Sequence, residues 1–522
     1  MVGSRTPLMM NMGVVITLVK LFGRKLEKRN KWEPLKDDVE FGHFIPMIDM
    51  AKLLAQNGPT VTIITTPLIA ARFRHTIDLA TASGLPLRLL DFTFPSAKAG
   101  LPKGCETLET VTSPDLLKKF FGAIYMLQQP FQQLLERLEP KPTCMIVDKY
   151  ITWAAETARL FRIPRIVFDV MSCFYLLCFH TLHVSEVHEN VPESEPFVLP
   201  NFPDTIVLTK AQLPGLFNPG SLDGVHVKEF RERVRVAEAE ACGIVLNTFE
   251  ELEHRYVNEI RKVNRGKIWC IGPLSLCNKD SSEKAQRGDK ASIDEIECLK
   301  WLDEQEAGSV VYACLGSISR LSSPQLIELG LGLELSKRPF VWVIRGDEKA
   351  KEVYKWIEGD GFEERVKGRG LIIRGWAPQV LILDHQSVGA FLTHCGWNST
   401  LEGVCAGVPM VTWPIFAEQF INEKLVGVVL ETGVSVGARA AVQMFEEDKS
   451  GVAVKREAVR KAVEKVMGGG AEAEERRKRA REFGEMAKKA VEEGGSSNLN
   501  VKSLIQDIME QVIGMGPTED HQ

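Results

Sequence analysis

Apolar and polar residues follow one another along this chain in a repeating order. After Pro46, Met47, Met50, Ala51 and Leu54 recur at helical spacing, Gly58 closes the run, and VTIITT (61–66) follows as an apolar, β-branched block. That order predicts a helix and then a strand. The same rhythm returns with CMIVD (144–148) as a strand, WAAETARLF as a helix, IPRIVF as a strand and IVLNTF (244–249) as one more strand. Strands alternating with helices predict a parallel, doubly wound sheet. Between them, residues 183 to about 215 are rich in His, Glu and Pro and lack either period. They are expected to be irregular and to wrap a pocket.

A polar, charged stretch, CNKDSSEKAQRGDKA (277–291), reads as a linker. Beyond it SVVYACLGS, FVWVIR, LIIR, VGAFLT and PMVTW alternate with helical patterns and predict a second doubly wound domain. Gly494 and Gly495 end one helix, Ser496 or Ser497 caps the next, and VKSLIQDIMEQV closes the pattern. The expected division is an N-terminal domain over residues 1–273, a linker over 274–295 and a C-terminal domain over 296–495. A final helix covers 497–514.

Composition changes this picture little. At 522 residues the chain exceeds what one core holds, which agrees with two domains. A net charge of −5 argues against nucleic acid or anionic membrane as an obligatory partner. Eleven cysteines with no C-x-x-C pair argue against a disulfide framework and a zinc ribbon, and read as reduced thiols of a cytoplasmic protein. The apolar stretch at 8–23 is interrupted by Asn11 and Lys20 and is too short to span a bilayer, so a buried strand is expected there. RRKR (476–479) follows Glu472, Glu474 and Glu475 at the spacing of helix ion pairs, so a solvated helix face is expected in place of a nucleic-acid patch. Gly330 and Gly332 lack the third glycine of a dinucleotide fingerprint and sit in a helical stretch, which weakens the case for a nicotinamide-dependent oxidoreductase.

The chemistry concentrates in residues 376–419, WAPQVLILDHQSVGAFLTHCGWNSTLEGVCAGVPMVTWPIFAEQ. VGAFLT (388–393) reads as a strand and residues 400–406 as a helix. The turn between them carries His394, Cys395, Gly396, Trp397, Asn398 and Ser399. A helix start has unpaired N–H groups and a partial positive charge, so it suits a phosphate. Trp376 can stack a base, with the Ala377 backbone and the Gln379 side chain at its polar edge. Glu402 is placed for ribose hydroxyls, and Glu418 and Gln419 offer partners for sugar hydroxyls.

This run strongly resembles the signature box of plant secondary-product UDP-glycosyltransferases, the glycosyltransferase family 1 enzymes. VVYACLGSISRL, FINEKL and ERRKRAREFGEMAKKAVEEGGSSNLN fit the same family. The resemblance implies a GT-B fold, two Rossmann-like α/β domains facing across a cleft, with the last helix crossing back onto the first domain. It implies that Trp376 stacks uracil, Ala377 and Gln379 bind its edge, and Glu402 binds the ribose. His394, Asn398, Ser399 and Ser317 would hold the diphosphate, and Trp397, Glu418 and Gln419 would face the sugar. A Gln closing the box, here Gln419, goes with glucose. His43 in GHFIPM matches the family's catalytic histidine and Asp148 its partner. The carboxylate fixes the imidazole tautomer as the ring takes a proton from the acceptor.

No two aspartates are separated by one residue, so the D-x-D metal motif is absent and the diphosphate is expected to be neutralised without a metal or other cofactor. Direct displacement would invert the anomeric carbon. The resemblance thus implies a cytoplasmic, monomeric glucosyltransferase with UDP-glucose as co-substrate and no membrane span. The acceptor would be a small lipophilic metabolite of flavonoid, triterpenoid, steroid or cytokinin type.

Two departures from the family pattern stand out. The family's first strand runs straight into the histidine loop, whereas here charged, proline-broken RNKWEPLKDDVEFGH (29–43) stands in its place. Either MGVVITLV (12–19) is recruited across a long charged loop, or the first forty or so residues come from an unusual splice form. A damaged N-terminal domain would leave a non-catalytic UDP-sugar-binding protein, the main rival reading. The second departure is FDVMSCF (168–174), where relatives carry His and Gly in place of Asp169 and Val170.

Overall fold

A computed structural model describes residues 13–17, 43–106, 114–218, 224–264, 266–316, 321–345, 348–442 and 451–514. The strands of the first half are β1 (Gly13–Thr17), β2 (Thr60–Thr65), β3 (Leu87–Asp91), β4 (Cys144–Asp148) and β5 (Arg165–Asp169), then β6 (Pro196–Val198), β7 (Val207–Thr209), β8 (Gly243–Leu246) and β9 (Lys267–Cys270). Seven of them form one parallel sheet in the order β3-β2-β1-β4-β5-β8-β9. β4, β5 and β8 are buried at every position, as a parallel sheet covered on both faces requires.

The strand upstream of the charged stretch is the one the sheet uses. β1 lies between β2 and β4, with Val14 fully buried and aligned to Val61 on one side and Cys144 on the other. Its apolar β-branched run outweighs its distance from His43, because the sheet centre needs an apolar strand. The charged residues 29–42 lie outside the described residues. The chain resumes in the helix Phe44–Gln56, which buries Phe44, Met47, Met50, Ala51 and Leu54 against this sheet, and Gly58 follows at a positive φ of 108°. The 183–215 segment is more ordered than its composition predicts. The helix Cys173–Ser185 runs into it, and β6 and β7 pair antiparallel, so backbone hydrogen bonds compensate for the missing period.

The second sheet contains β10 (Val310–Cys314), β11 (Phe340–Ile344), β12 (Gly370–Arg374), β13 (Val388–Thr393), β14 (Met410–Thr412) and β15 (Gly433–Ser435). All are parallel, in the order β12-β11-β10-β13-β14-β15. In both sheets the order reverses direction beside a central strand, between β1 and β4 and between β10 and β13. Open α/β sheets bind ligands outside the carboxyl ends of the strands at such points. Asp148 ends β4 and His394 follows β13, so both switch points carry candidate chemistry.

Gly330 and Gly332 serve packing. On the helix Ser323–Ser336, a Cβ at Gly330 would lie 2.6 Å from Trp342, and one at Gly332 would lie 2.6 Å from Val459. On the helix Ala471–Val491, Arg479 pairs with Glu475 and Arg477 with Glu474, while Arg476 bonds to the Lys465 carbonyl. The helix Ser496–Gly514 returns to the first sheet, where Asp507 accepts from Trp269 of β9 at 3.0 Å and Ser497 donates to the Gly272 carbonyl. Among the described residues no helix is long and apolar enough to cross a membrane.

The polar stretch between the sheets is not an open tether. It contains a short helix, Ser281–Ala285, started by Asp280, which accepts from the Glu283 N–H at 2.8 Å. Lys52 of the first half donates to Asn278 and to Glu283, both at 2.8 Å, while Lys284 pairs with Asp384 of the second half at 2.7 Å. Its charged side chains find partners on both sides, which is why a polar composition here goes with an ordered path.

Candidate active site

His43 begins the helix Phe44–Gln56, and its Nδ1 lies 2.5 Å from Oδ2 of Asp148. The other Asp148 oxygen accepts from the Tyr150 N–H at 2.9 Å, so both carboxylate oxygens are fixed. Asp148 is 4% exposed, whereas the His43 side chain is 26% exposed and reaches the surface. A buried acceptor holding one imidazole nitrogen sets the tautomer and directs the other nitrogen outward.

Beside this pair lies a second one that sequence reading did not find. Lys149 Nζ sits 2.6 Å from Oδ2 of fully buried Asp169, whose other oxygen accepts from Met171 N–H at 3.0 Å. Burial works against the Lys149 charge, but Asp169 more than offsets it and holds the lysine well above its ordinary pKa. The available signal was Asp169 itself, because a carboxylate buried in a sheet requires a cation.

Across the cleft, β13 leads into a sharp turn. Cys395 adopts a positive φ of 65°, its carbonyl is held by Asn422 Nδ2 at 2.9 Å, and Gly396 caps the helix Trp397–Cys405. The helix thus starts three residues before the expected position, because Gly396 already has the extended cap conformation and Asn398 and Ser399 take second and third places in the first turn. Gly396 has no side chain to cap this helix, and Glu418 Oε1 lies 3.4 Å from the Trp397 N–H in its first turn. With its remaining first-turn N–H groups and its dipole, the helix start is a candidate anion site.

His394 stands beside that helix start between two glycines. A Cβ at Gly316 or at Gly396 would lie 2.5 Å from its ring. Part of the residue reaches the surface, yet its Nδ1 is buried with no hydrogen-bond partner among the described residues. Burial lowers its pKa to about 4, so the ring is neutral near pH 7. An orphaned buried ring nitrogen is costly unless something takes its bond. Ser317, next to Gly316, lies outside the described residues.

Trp376 is half-buried, with the Arg345 guanidinium 4.7 Å from its ring centre. Its backbone exchanges two hydrogen bonds with Ser292, at 2.9 and 2.8 Å, and Ala377 beside it is 6% exposed. The Gln379 side-chain amide donates to Ser399 at 3.0 Å and to Glu402 at 2.6 Å. Gln379 thus turns toward Glu402, and its amide protons are taken up there. Arg287, from the linker, holds the other Glu402 oxygen at 2.5 Å. Sequence reading missed Arg287 because it treated the linker as a spacer.

At the end of the run, the Gln419 carboxamide oxygen accepts from the N–H groups of Ile415 and Phe416 at 2.9 and 3.1 Å, which fixes the orientation of the side chain. The Trp397 indole is 2% exposed and donates to the Asn247 carbonyl of the first half at 2.8 Å. Its contribution to the cleft is the backbone N–H, 3.4 Å from Glu418 Oε1. Burial raises the Glu418 carboxyl above its ordinary pKa, and bonds from the backbone and the charges of His43 and Lys149 offset part of that. Asn247 also donates to Asn398 at 3.2 Å.

A family model described as "UDP-glucoronosyl and UDP-glucosyl transferase" matches residues 291–459. UDP-glycosyltransferase 73C11 of Barbarea vulgaris is 51% identical over 472 residues, 90% of this chain and 94% of that protein. UDP-glycosyltransferase 73C3 of Arabidopsis thaliana is 50% identical over 491 residues, 93% and 98% of the two chains. Among solved structures, Glycyrrhiza uralensis UGT73P12 complexed with glycyrrhetinic acid 3-O-monoglucuronide aligns with a TM-score of 0.85 at 34% identity over 97% of each chain. Phytolacca americana UGT2 with UDP-2fluoro-glucose and pterostilbene aligns at 0.69 with 26% identity, over 95% of this chain and 98% of that one. With identity above half across nine-tenths of its length and the same pair of facing sheets, the chain belongs to the plant UDP-glycosyltransferases, transferases of GT-B fold that use a UDP-sugar donor.

Proposed function

We propose that this transferase moves glucose from UDP-glucose onto a hydroxyl of a small lipophilic acceptor and inverts the anomeric carbon. The observation that carries the reading is His43 locked on buried Asp148 at 2.5 Å through one ring nitrogen, while the histidine side chain still reaches the surface. In this reading His43 is the base and Glu418 a carboxylate on the sugar side.

In the proposed step, Asp148 holds the Nδ1 proton of His43, and Nε2 takes the proton of the acceptor hydroxyl as its oxygen attacks the anomeric carbon. The bond from that carbon to the diphosphate oxygen breaks, and UDP leaves with the electron pair. Charge on the departing diphosphate is met by the start of the helix Trp397–Cys405, by Asn398 and Ser399, and by His394 and Ser317 beside it. Trp376 stacks the uracil, with the backbone of Ala377 and Gln379 at its edge. Glu402, oriented by the Gln379 amide, accepts from the ribose. Glu418, the NH2 of Gln419 and the N–H of Trp397 bind the sugar. Gln419 and the UDP-2fluoro-glucose bound by Phytolacca americana UGT2 support glucose. The glycyrrhetinic acid glucuronide and pterostilbene bound by the two relatives support a lipophilic acceptor.

The test is turnover with UDP-glucose, UDP-galactose and UDP-glucuronic acid against hydroxylated flavonoids, triterpenoids, steroids and cytokinins. Products are read by mass spectrometry and anomeric NMR coupling. A β-glucoside is the expected product. Turnover confined to another sugar overturns the donor, an α-glycoside overturns inversion, and UDP-glucose binding without turnover on any acceptor favours a non-catalytic binder.

A further inference from the structure

Three buried charges join the two domains through the linker. Arg287 Nε lies 2.7 Å from Oδ2 of Asp49, and its Nη1 lies 2.5 Å from Oε1 of Glu402. The side chains of Arg287, Asp49 and Glu402 are 8%, 3% and 8% exposed. Asp49 sits on the helix Phe44–Gln56 that His43 begins, and Glu402 sits on the helix Trp397–Cys405. Burial opposes the Arg287 charge, but the two carboxylates outweigh it and keep the guanidinium ionised.

The neighbouring linker residues meet the same site. A Cβ on Gly288, at a φ of 103°, would lie 2.3 Å from Cζ2 of Trp376, so only glycine lets the backbone pass there. Ser292 then holds the Trp376 backbone at both its N–H and its carbonyl. Three linker positions therefore contact the two residues assigned to the nucleoside.

We propose that Arg287 is a positioning residue for donor recognition: it orients the Glu402 carboxylate toward the ribose and ties it to Asp49 of the opposite domain. The inference rests on the reading that Glu402 faces the ribose. A guanidinium presents its N–H groups in a fixed fork, so one side chain can hold two carboxylates at set angles. With Gln379 on one oxygen and Arg287 on the other, Glu402 has a single orientation, and its remaining lone pairs face the ligand.

The test uses the full chain and calorimetric titration with UDP and with 2′,3′-dideoxyuridine diphosphate. Wild type is expected to prefer UDP by about tenfold or more, the worth of hydrogen bonds to a charged group. Glu402→Gln and Arg287→Gln are both expected to cut that preference below about threefold, and Lys284→Ala, on the same linker, to keep it. In turnover, Arg287→Gln raises KM for UDP-glucose more than it lowers kcat. If Glu402→Gln keeps the preference, the ribose reading itself fails. If Glu402→Gln loses it and Arg287→Gln keeps it, the role of Arg287 is overturned while the ribose reading stands. Equal loss in Lys284→Ala also overturns it, since any loosening of the linker would then suffice. Should Arg287→Gln not fold, Arg287→Lys decides: an intermediate preference is expected, and a wild-type preference overturns the proposal.

Discussion

The two sides of the cleft are built in opposite ways. On one side, the candidate donor residues Trp376, Gln379, His394, Glu402 and Gln419 come from one continuous run, and Arg287, Ser292 and Gly316 from outside it support individual members. On the other side, His43 and Asp148 stand 105 residues apart and meet only because β1 enters the sheet beside β4. A local motif survives large changes around it. A pair assembled by sheet order depends on every element between its members, and the charged stretch before His43 is tolerated only because an apolar strand still reaches the sheet centre.

The largest expected effect separates the two sides. His43→Ala should slow turnover by about 10²–10⁴ while UDP affinity stays near wild type, and Asp148→Asn should follow in the same direction. Kinetics paired with UDP titration check this. A parallel loss of UDP binding would show that the two sides are not separable. Next in size is the buried pair beside the base. Lys149→Ala leaves Asp169, which is fully buried, without its cation and should cost about 3–5 kcal/mol in urea unfolding. Lys149→Met combined with Asp169→Asn should recover most of that. A single variant as stable as wild type would place the charge of Asp169 elsewhere.

The smallest effect probes the donor side through pH. His394 has an ordinary pKa of 6.5 and is lowered to about 4 in the folded chain. As pH falls below about 6.5 the unfolded ring takes up a proton and the folded one does not, so the unfolded state binds more protons. Stability is therefore complete above that pH and is lost on the way to pH 4. His394→Asn should flatten this acid limb, measured as the urea midpoint at pH 7 and at pH 4.5. An unchanged limb would mean that the ring is protonated in the fold.

Much of the architecture was legible because parallel strands buried on both faces are written as short apolar runs. CMIVD, IPRIVF and VGAFLT all appear as strands within a few residues of their expected bounds. β3, β9 and β15 carry weaker signals: all three are edge strands of three to five residues with partly exposed positions. In the site, the turn at His394 was legible because its residues are neighbours. Lys149 and Arg287 were not, because each is explained only by a carboxylate that folding brings to it. The orientation of Gln379 toward Glu402 and the burial of the Trp397 indole were equally invisible, since residue type does not state which atoms face a ligand.

From its residues alone, this chain determined two α/β sheets, a helix start of the kind that suits a diphosphate and a candidate base in His43. Those properties follow from backbone periodicity and side-chain chemistry, which act over a few residues. Tertiary structure alone decided that the upstream strand completes the sheet, that Lys149 neutralises Asp169, and that Arg287 bridges Asp49 and Glu402. The reason is physical: buried charges are stable only in complementary sets, and the members of such sets are chosen by packing in space.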